Sequence, residues 1–323
     1  MTSRKFLRRW RENYHASFLI STVARPVYRI SRFVADQIQK KVRCNSARIT
    51  LPNGTELRFA RDAGVTLASN LFWQGLEGYE PATSRTLRFF FERSRTFVDV
   101  GANYGFYSLL AALWNPDLRV FAFEPVPEIY DGLKRNIMLN RLNDRVTPVC
   151  QALSDASGTA IFYLPATDAR DCESTGTLAG YGWQNRDGSA RLQVQTVRFD
   201  DFEREHPMRV DLVKIDVEDF EAGVLSGMTG TILRDRPFIV CEILPREHGN
   251  ERTRDVLESL GYSAYWITGT GYVHVSRFDF ERPIFEDFLL SPIRLPGEVI
   301  ANPQSFWAAR MASLRPEAAA TLG

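Results

Sequence analysis

The sequence predicts an α/β protein built on a doubly wound, mostly parallel sheet that ends in an antiparallel hairpin. Three observations carry this prediction. Short apolar runs alternate with helical patterns from residue 97 to residue 260. The first run, FVDV (97–100), enters a glycine-bracketed turn, GANYG (101–105), that opens a helix. Two β-prone runs, YSAYWIT (262–268) and YVHVS (272–276), then face each other across Gly269-Thr270-Gly271. Alternation of this kind marks parallel β/α units, and the late hairpin adds an antiparallel edge.

Taken in order, the chain opens with a basic extension, residues 1–48. It carries 12 Lys/Arg against Glu12 and Asp36, a net of +10, while the remaining residues carry −9 within a total of +1. Its pattern is mainly helical. Phe18, Leu19, Val23, Val27, Ile30 and Val34 share a face, and Pro26 is expected to kink the helix. Such a segment can lie peripherally on an anionic membrane or pack its stripe on the domain, and both readings stay open. The run ASFLISTVA (16–24) is too short, and too poorly followed by a cleavage site, for a secretion signal. No stretch approaches the ~20 apolar residues of a spanning helix. Cys44, Cys150, Cys172 and Cys241 form no CxxC pair. Reduced thiols in a cytoplasmic protein are expected, with contact at the inner membrane surface left open.

Residues 49–80 hold a hairpin and a connector. RITLPNGTELRF (48–59) turns at Asn53-Gly54, which predicts a two-residue primed turn. The main domain is expected over 81–276. It opens with the helix PATSRTLRFFFERS (81–94), with Leu87, Phe90 and Phe91 as its apolar face. After the FVDV strand come the helix FYSLLAALW (106–114) and the strand RVFAFEP (119–125). The helix EIYDGLKRNIMLN (128–140) follows, then a third strand within RVTPVCQALS (145–154). Residues 160–164 and 191–199 extend the sheet or flank the loop between them. VDLVKIDV (210–217) and PFIVCEIL (237–244) are strands; EAGVLSGM (221–228) and RTRDVLESL (252–260) are helical. The long polar, Gly-rich stretch 165–190 has the length of a lid. Residues 277–323 are expected to be an irregular extension with a frayed end.

In a doubly wound sheet, ligands sit beyond the C-terminal ends of the strands, where GANYG belongs. A dinucleotide site normally shows G-x-G-x-x-G so that the turn can crowd a pyrophosphate. Here Asn103 replaces the middle glycine, which favours a ligand without phosphate. S-adenosylmethionine fits. The N–H groups of Gly101, Ala102, Asn103 and Gly105 are expected to meet its carboxylate, and Asp99 to sit near its ammonium. Glu124, ending the second strand in FAFEP, is placed to accept both ribose hydroxyls. Ser154 and Asp155, after the third strand, are expected near the adenine edge.

With FVDVGANYGFYSLLAA, FAFEPVPEIYDGLKRNIMLN, QALSDASG, VDLVKIDVEDFE and FIVCEIL in that order, residues 80–276 resemble the FkbM family of S-adenosylmethionine-dependent methyltransferases. The resemblance implies a seven-stranded class I methyltransferase fold and O-methylation of a sugar, glycan or polyketide-type hydroxyl. It also implies cofactor roles for Asp99, Gly101, Asn103, Gly105 and Glu124, with Asp216 facing the methyl group. The family continues KIDVEG; this chain has KIDVED, with Asp219 where the family has glycine.

Methyl transfer from a sulfonium needs alignment first and a general base second. The candidate catalytic residues are Lys214, Asp216, Glu218, Glu242 and His248. Acids at 218, 219 and 221 also suit a helix start whatever the chemistry. Lys214 is equally a partner for an acid, and His248 equally a surface histidine. Asp216 and Glu242 form a possible pair for a divalent cation, but no third ligand is clearly placed, so a metal is not favoured. Three other readings remain beside this one. They are a nicotinamide oxidoreductase, a catalytically degenerate methyltransferase fold acting as a scaffold, and a nucleic-acid methyltransferase. The acidic body opposes the last.

Overall fold

A computed structural model of the chain describes residues 46–60, 64–164, 176–178, 190–243, 251–275, 287–295 and 299–301. The basic extension up to residue 45, most of the expected lid and His248 lie outside the described residues.

The hairpin pairs β1 (Ala47–Thr50) with β2 (Glu56–Phe59). Its turn is longer than a two-residue primed turn. The Gly54 N–H donates to the Leu51 carbonyl, and of the Asn53-Gly54 pair only Gly54 takes positive φ (84°). A primed turn needs Asn53 to be left-handed as well. Two helices follow, α1 (Val65–Gln74) and α2 (Pro81–Phe91), the latter with proline in its first turn.

The alternating region then forms as its patterns predict. It consists of β3 (Thr96–Val100), α3 (Phe106–Trp114), β4 (Arg119–Phe123), α4 (Pro127–Leu139) and β5 (Val146–Val149). A side sheet follows, made of β6 (Ala152–Leu153), β7 (Gly158–Leu164) and β8 (Ala190–Val197). The residues expected to extend the main sheet or flank the loop between them thus flank it, paired with each other in a separate sheet. The chain returns through α5 (Phe199–Glu205), β9 (Leu212–Ile215), α6 (Glu221–Gly227), α7 (Thr229–Asp235), β10 (Phe238–Glu242) and α8 (Glu251–Leu260). The hairpin is β11 (Ser263–Ile267) with β12 (Gly271–Val275).

Two strands come from the segment expected to be irregular, β13 (Asp287–Ser291) and β14 (Val299–Ala301). Strand β13 inserts between β10 and β11, antiparallel to both. Phe288, Leu289 and Leu290 are fully buried there, so the main domain does not stop at residue 276. The nine-stranded sheet runs β14-β12-β11-β13-β10-β9-β3-β4-β5. Its last seven strands have the class I methyltransferase order, and β12 and β14 are added at one edge.

Side-chain parity divides the core into two layers. Phe97, Leu212, Val240 and Leu289 pack with α1, α2 and α3 on one face. Val98, Val213, Ile215, Ile239 and Cys241 pack with α5, α6 and α8 on the other. The same parity puts Asp99, Lys214, Asp216 and Glu242 on the α3 side, at the C-terminal ends of three adjacent strands.

Candidate active site

The turn after β3 is left-handed at three positions: Gly101 (φ 77°), Asn103 (φ 51°) and Gly105 (φ 90°). A Cβ on Gly101 would collide with the Asp216 carbonyl oxygen, and one on Gly105 with the Leu133 side chain. Both glycines are therefore required by approach of the chain to itself. The N–H groups of the turn are also engaged internally. Gly101 and Ala102 donate to the Phe123 carbonyl (3.0 and 2.9 Å), and Gly105 to the Ala102 carbonyl (2.8 Å). Asn103 donates to Glu124 Oε2 (3.0 Å) and Tyr104 to Asn103 Oδ1 (2.7 Å). These donors, expected to meet a ligand's carboxylate, thus have partners within the chain.

Beside the turn lies a cavity of about 260 Å³, lined by residues from both sheets and from α1. Glu124, 4% exposed, sits in its wall. Its two oxygens accept the N–H groups of Asn103 (3.0 Å) and Val126 (2.9 Å), which fixes the carboxyl plane. Burial pushes its pKa up to about 7 against those two hydrogen bonds. Asp99 is buried on β3, and the Ser108 hydroxyl donates to its Oδ2 (2.5 Å). Burial pushes it up to about 6, opposed by the Lys214 charge. Pro125, Ala152, Leu153, Phe162 and Leu178 add an apolar wall to the cavity.

Ser154 and Asp155 do not reach that wall. Strand β6 leaves the main sheet to pair with β8, and Ser154 donates its N–H to the Val197 carbonyl (3.0 Å). Asp155 ion-pairs with Arg252 (2.6 Å) on the surface. Gln151, Ala152 and Leu153 line the cavity in their place.

At the opposite end the carboxylates gather. Lys214, 3% exposed, places Nζ 2.6 Å from Asp216 Oδ2 and 4.9 Å from the centre of the Tyr107 ring. Burial alone would lower Lys214, but Asp216, Glu80 and Asp99 outweigh it and hold the ammonium charged. Burial alone would raise Asp216, but Lys214 and a hydrogen bond with Glu242 outweigh it and keep Asp216 ionised. Glu242 takes the opposite course. Burial and the Asp216 charge push it up to about 12, so it carries the shared proton and donates to Asp216. Glu218 joins this end, bringing one oxygen each from Asp216, Glu218 and Glu242 within 4.8 Å of one another. A third carboxylate is thus present where the sequence placed only two. The protein already meets the charge of Asp216 with the Lys214 ammonium and the Glu242 proton. Glu221 turns away, its Oε1 accepting the Asp219 N–H (2.9 Å). Glu218 (φ 52°) and Asp219 (φ 82°) are both left-handed, so the aspartate keeps a backbone that suits glycine.

The family model described as "Methyltransferase FkbM domain" matches residues 99–264, just over half of the chain. The chain belongs to the FkbM methyltransferase family. Among the relatives it resembles is methyltransferase sdnD of Sordaria araneosa, 32% identical over 41% of this chain and 59% of that protein. The 31-O-demethyl-FK506 methyltransferase FkbM of Streptomyces tacrolimicus is 29% identical over 58% of this chain and 75% of its own. The hexuronic acid methyltransferase AglP of Haloferax volcanii is 29% identical over 50% and 59%. The chain therefore spans about three fifths of the first and third of these. A crystal structure titled methyltransferase FkbM, from Methylobacillus flagellatus, aligns at 14% identity and TM-score 0.39, over 72% of this chain and 56% of that one.

This member of the FkbM family brings Asp99, Ala102, Asn103, Glu124, Lys214, Asp216, Glu218 and Glu242 to one cavity. Glu80 is there too, and sequence reasoning missed it. It precedes α2 in a left-handed conformation (φ 38°, ψ 63°), and Tyr107 donates its hydroxyl to Glu80 Oε2 (2.7 Å). Its one sequence signal was a glutamate directly before the proline that opens a helix.

Proposed function

We propose that the protein is an S-adenosylmethionine-dependent O-methyltransferase acting on a hydroxyl of a sugar, glycan or polyketide-type small molecule. The observation that carries this reading is Glu124. It is a buried carboxylate at the end of β4, oriented by two backbone N–H groups and facing the cavity. Such a group suits two ribose hydroxyls. Asp99 suits the donor's ammonium, and the Phe162, Leu153 and Leu178 wall suits the adenine ring. Two relatives are named for 31-O-demethyl-FK506 and for a hexuronic acid, which supports the acceptor class.

When bound, the cofactor supplies a methyl group on a sulfonium and leaves as a neutral thioether. The chain's own work is then alignment and proton handling. Asp216 remains ionised beside Lys214, so it accepts a hydrogen bond from the incoming hydroxyl and aims its oxygen. A carboxylate held this low is a weak base. It suffices, because an oxygen that has gained a methyl group becomes far more acidic than a carboxylic acid. The proton passes to Asp216, with Lys214 and Glu242 holding that carboxylate in place.

Calorimetric titration of the whole chain with S-adenosylmethionine and with NADH tests this, repeated on Glu124→Ala. The expected result is binding of the methyl donor alone, weakened at least tenfold in the variant. Binding of NADH, or of neither ligand, would overturn the reading. Methyl transfer to a hydroxyl acceptor at full rate by Asp216→Asn would remove Asp216 from its role.

A further inference from the structure

Three carboxylates in the cavity wall, Asp99 and Glu124 buried and Glu80 half-buried, have neutral hydrogen-bond donors. Asp99 has the Ser108 hydroxyl, and Glu124 has two backbone N–H groups. Glu80 has the Tyr107 hydroxyl at 2.7 Å, with a further hydrogen bond from Tyr79. The remaining acids of that end are met otherwise, Asp216 by the Lys214 ammonium and Glu242 by the proton it shares with Asp216. Lys214 is the one cation among the described residues lining the cavity. In the reading above, Asp99 answers the donor's ammonium and Glu124 its ribose. Glu80 supports the Lys214 ammonium but answers no group of the donor yet assigned.

The fold holds Glu80 at this position against local preference. Its backbone is left-handed, a region L-residues avoid. Its side chain does not cap α2 and instead turns into the cavity toward Tyr107. The Tyr107 ring carries Lys214, and Lys214 touches Asp216. Glu80 therefore stands at the methyl-transfer end. It is supplied by the chain ahead of the family-matched region 99–264.

We propose that Glu80 is a cofactor-facing residue whose carboxylate offsets the positive charge of the donor's sulfonium. The inference rests on the S-adenosylmethionine reading. Its consequence is for exchange. The wall that holds a cationic donor loses its grip once the sulfur becomes neutral, so product leaves and fresh donor enters.

The test compares S-adenosylmethionine with S-adenosylhomocysteine, which differ at the sulfur and share the ammonium and ribose. Affinities are measured by calorimetry on the full chain, on Glu80→Gln and on Tyr107→Phe. Glu80→Gln should weaken the methyl donor roughly tenfold, a typical scale for one partly screened charge contact. It should leave the thioether within about twofold. Tyr107→Phe removes a hydrogen bond that favours the ionised Glu80, so it should lose part of the preference in the same direction. Equal weakening of both ligands, or an unchanged ratio, would overturn the proposal. Should Glu80→Gln fail to fold, the wild-type affinity ratio from pH 5 to pH 8 decides. Burial raises Glu80 against the Lys214 charge, with Tyr79, Tyr107, Asp216 and Asp287 also facing it. Its protonation should cost the sulfonium more than the thioether, so the ratio should fall toward pH 5. A flat ratio rejects the idea. If wild type binds neither ligand, the cofactor reading itself fails, and the proposal with it.

Discussion

Lys214→Met removes a cation and keeps the side-chain volume, and its cost is calculable from the surroundings. The ammonium is 3% exposed, lies 2.6 Å from Asp216 Oδ2, and packs on the Tyr107 ring. Removing one partner of a buried pair leaves the other charge uncompensated, at a cost of about 3–5 kcal/mol. At roughly 2–4 °C per kcal/mol for a domain of this size, the melting temperature should fall by on the order of 10 °C. The loss should depend on pH, with a definite sign. In the wild type Asp216 lies below its ordinary value, so its contribution is present above the unfolded pKa of ~4 and fades as pH falls through the folded value. In the variant only the Glu242 hydrogen bond still opposes burial, so Asp216 rises, and at pH 8 an ionised carboxylate sits without its cation. Protonation relieves it, and the deficit should shrink toward pH 5. Urea unfolding followed by circular dichroism at pH 8, 6.5 and 5 reads this directly. A deficit under about 1 kcal/mol, or one equal at pH 5 and pH 8, would refute the account of Lys214 as the group that keeps Asp216 ionised.

Two further outcomes are expected. Asp219→Gly should stabilise the protein by about 0.5–1 kcal/mol, since a left-handed L-residue costs roughly 1–2 kcal/mol and glycine's added unfolded freedom returns about half. A loss of stability in denaturant titration would show that the aspartate side chain holds the turn. The affinity for S-adenosylmethionine should fall as pH drops from 8 to 5. The empty site's Asp99 and Glu124 titrate at about 6 and about 7 and must ionise to receive the ligand. The fall should be roughly a hundredfold or more, at about tenfold per pH unit for each proton below its pKa, and a flat profile by calorimetry would contradict it.

What the sequence disclosed follows a physical line. Strand direction and side-chain parity are local properties. FYSLLAALW could therefore be read as the helix Phe106–Trp114, and Asp99, Glu124, Lys214, Asp216 and Glu242 could be placed at one sheet edge. Features fixed by distant pairing were not legible. Strand β13 is a five-residue run with no periodic context, and only its insertion between β10 and β11 makes it a strand. Ser154 and Asp155 were misplaced because the two-residue β6 pairs with β8, some forty residues on, and carries them away from the cavity. Glu80 reaches the site through the docking of α2 against α3 and one left-handed residue, which composition does not announce. The glycines show the limit of motif reading most clearly. Their spacing suggested room for a ligand, yet Gly101 is required because the Asp216 carbonyl presses on it. The turn after β3 and the start of the turn after β9 are thus one packed unit. The family departure at Asp219 falls three residues beyond that contact. Its left-handed strain therefore falls outside the Gly101–Asp216 contact, between the cavity-lining Glu218 and Phe220.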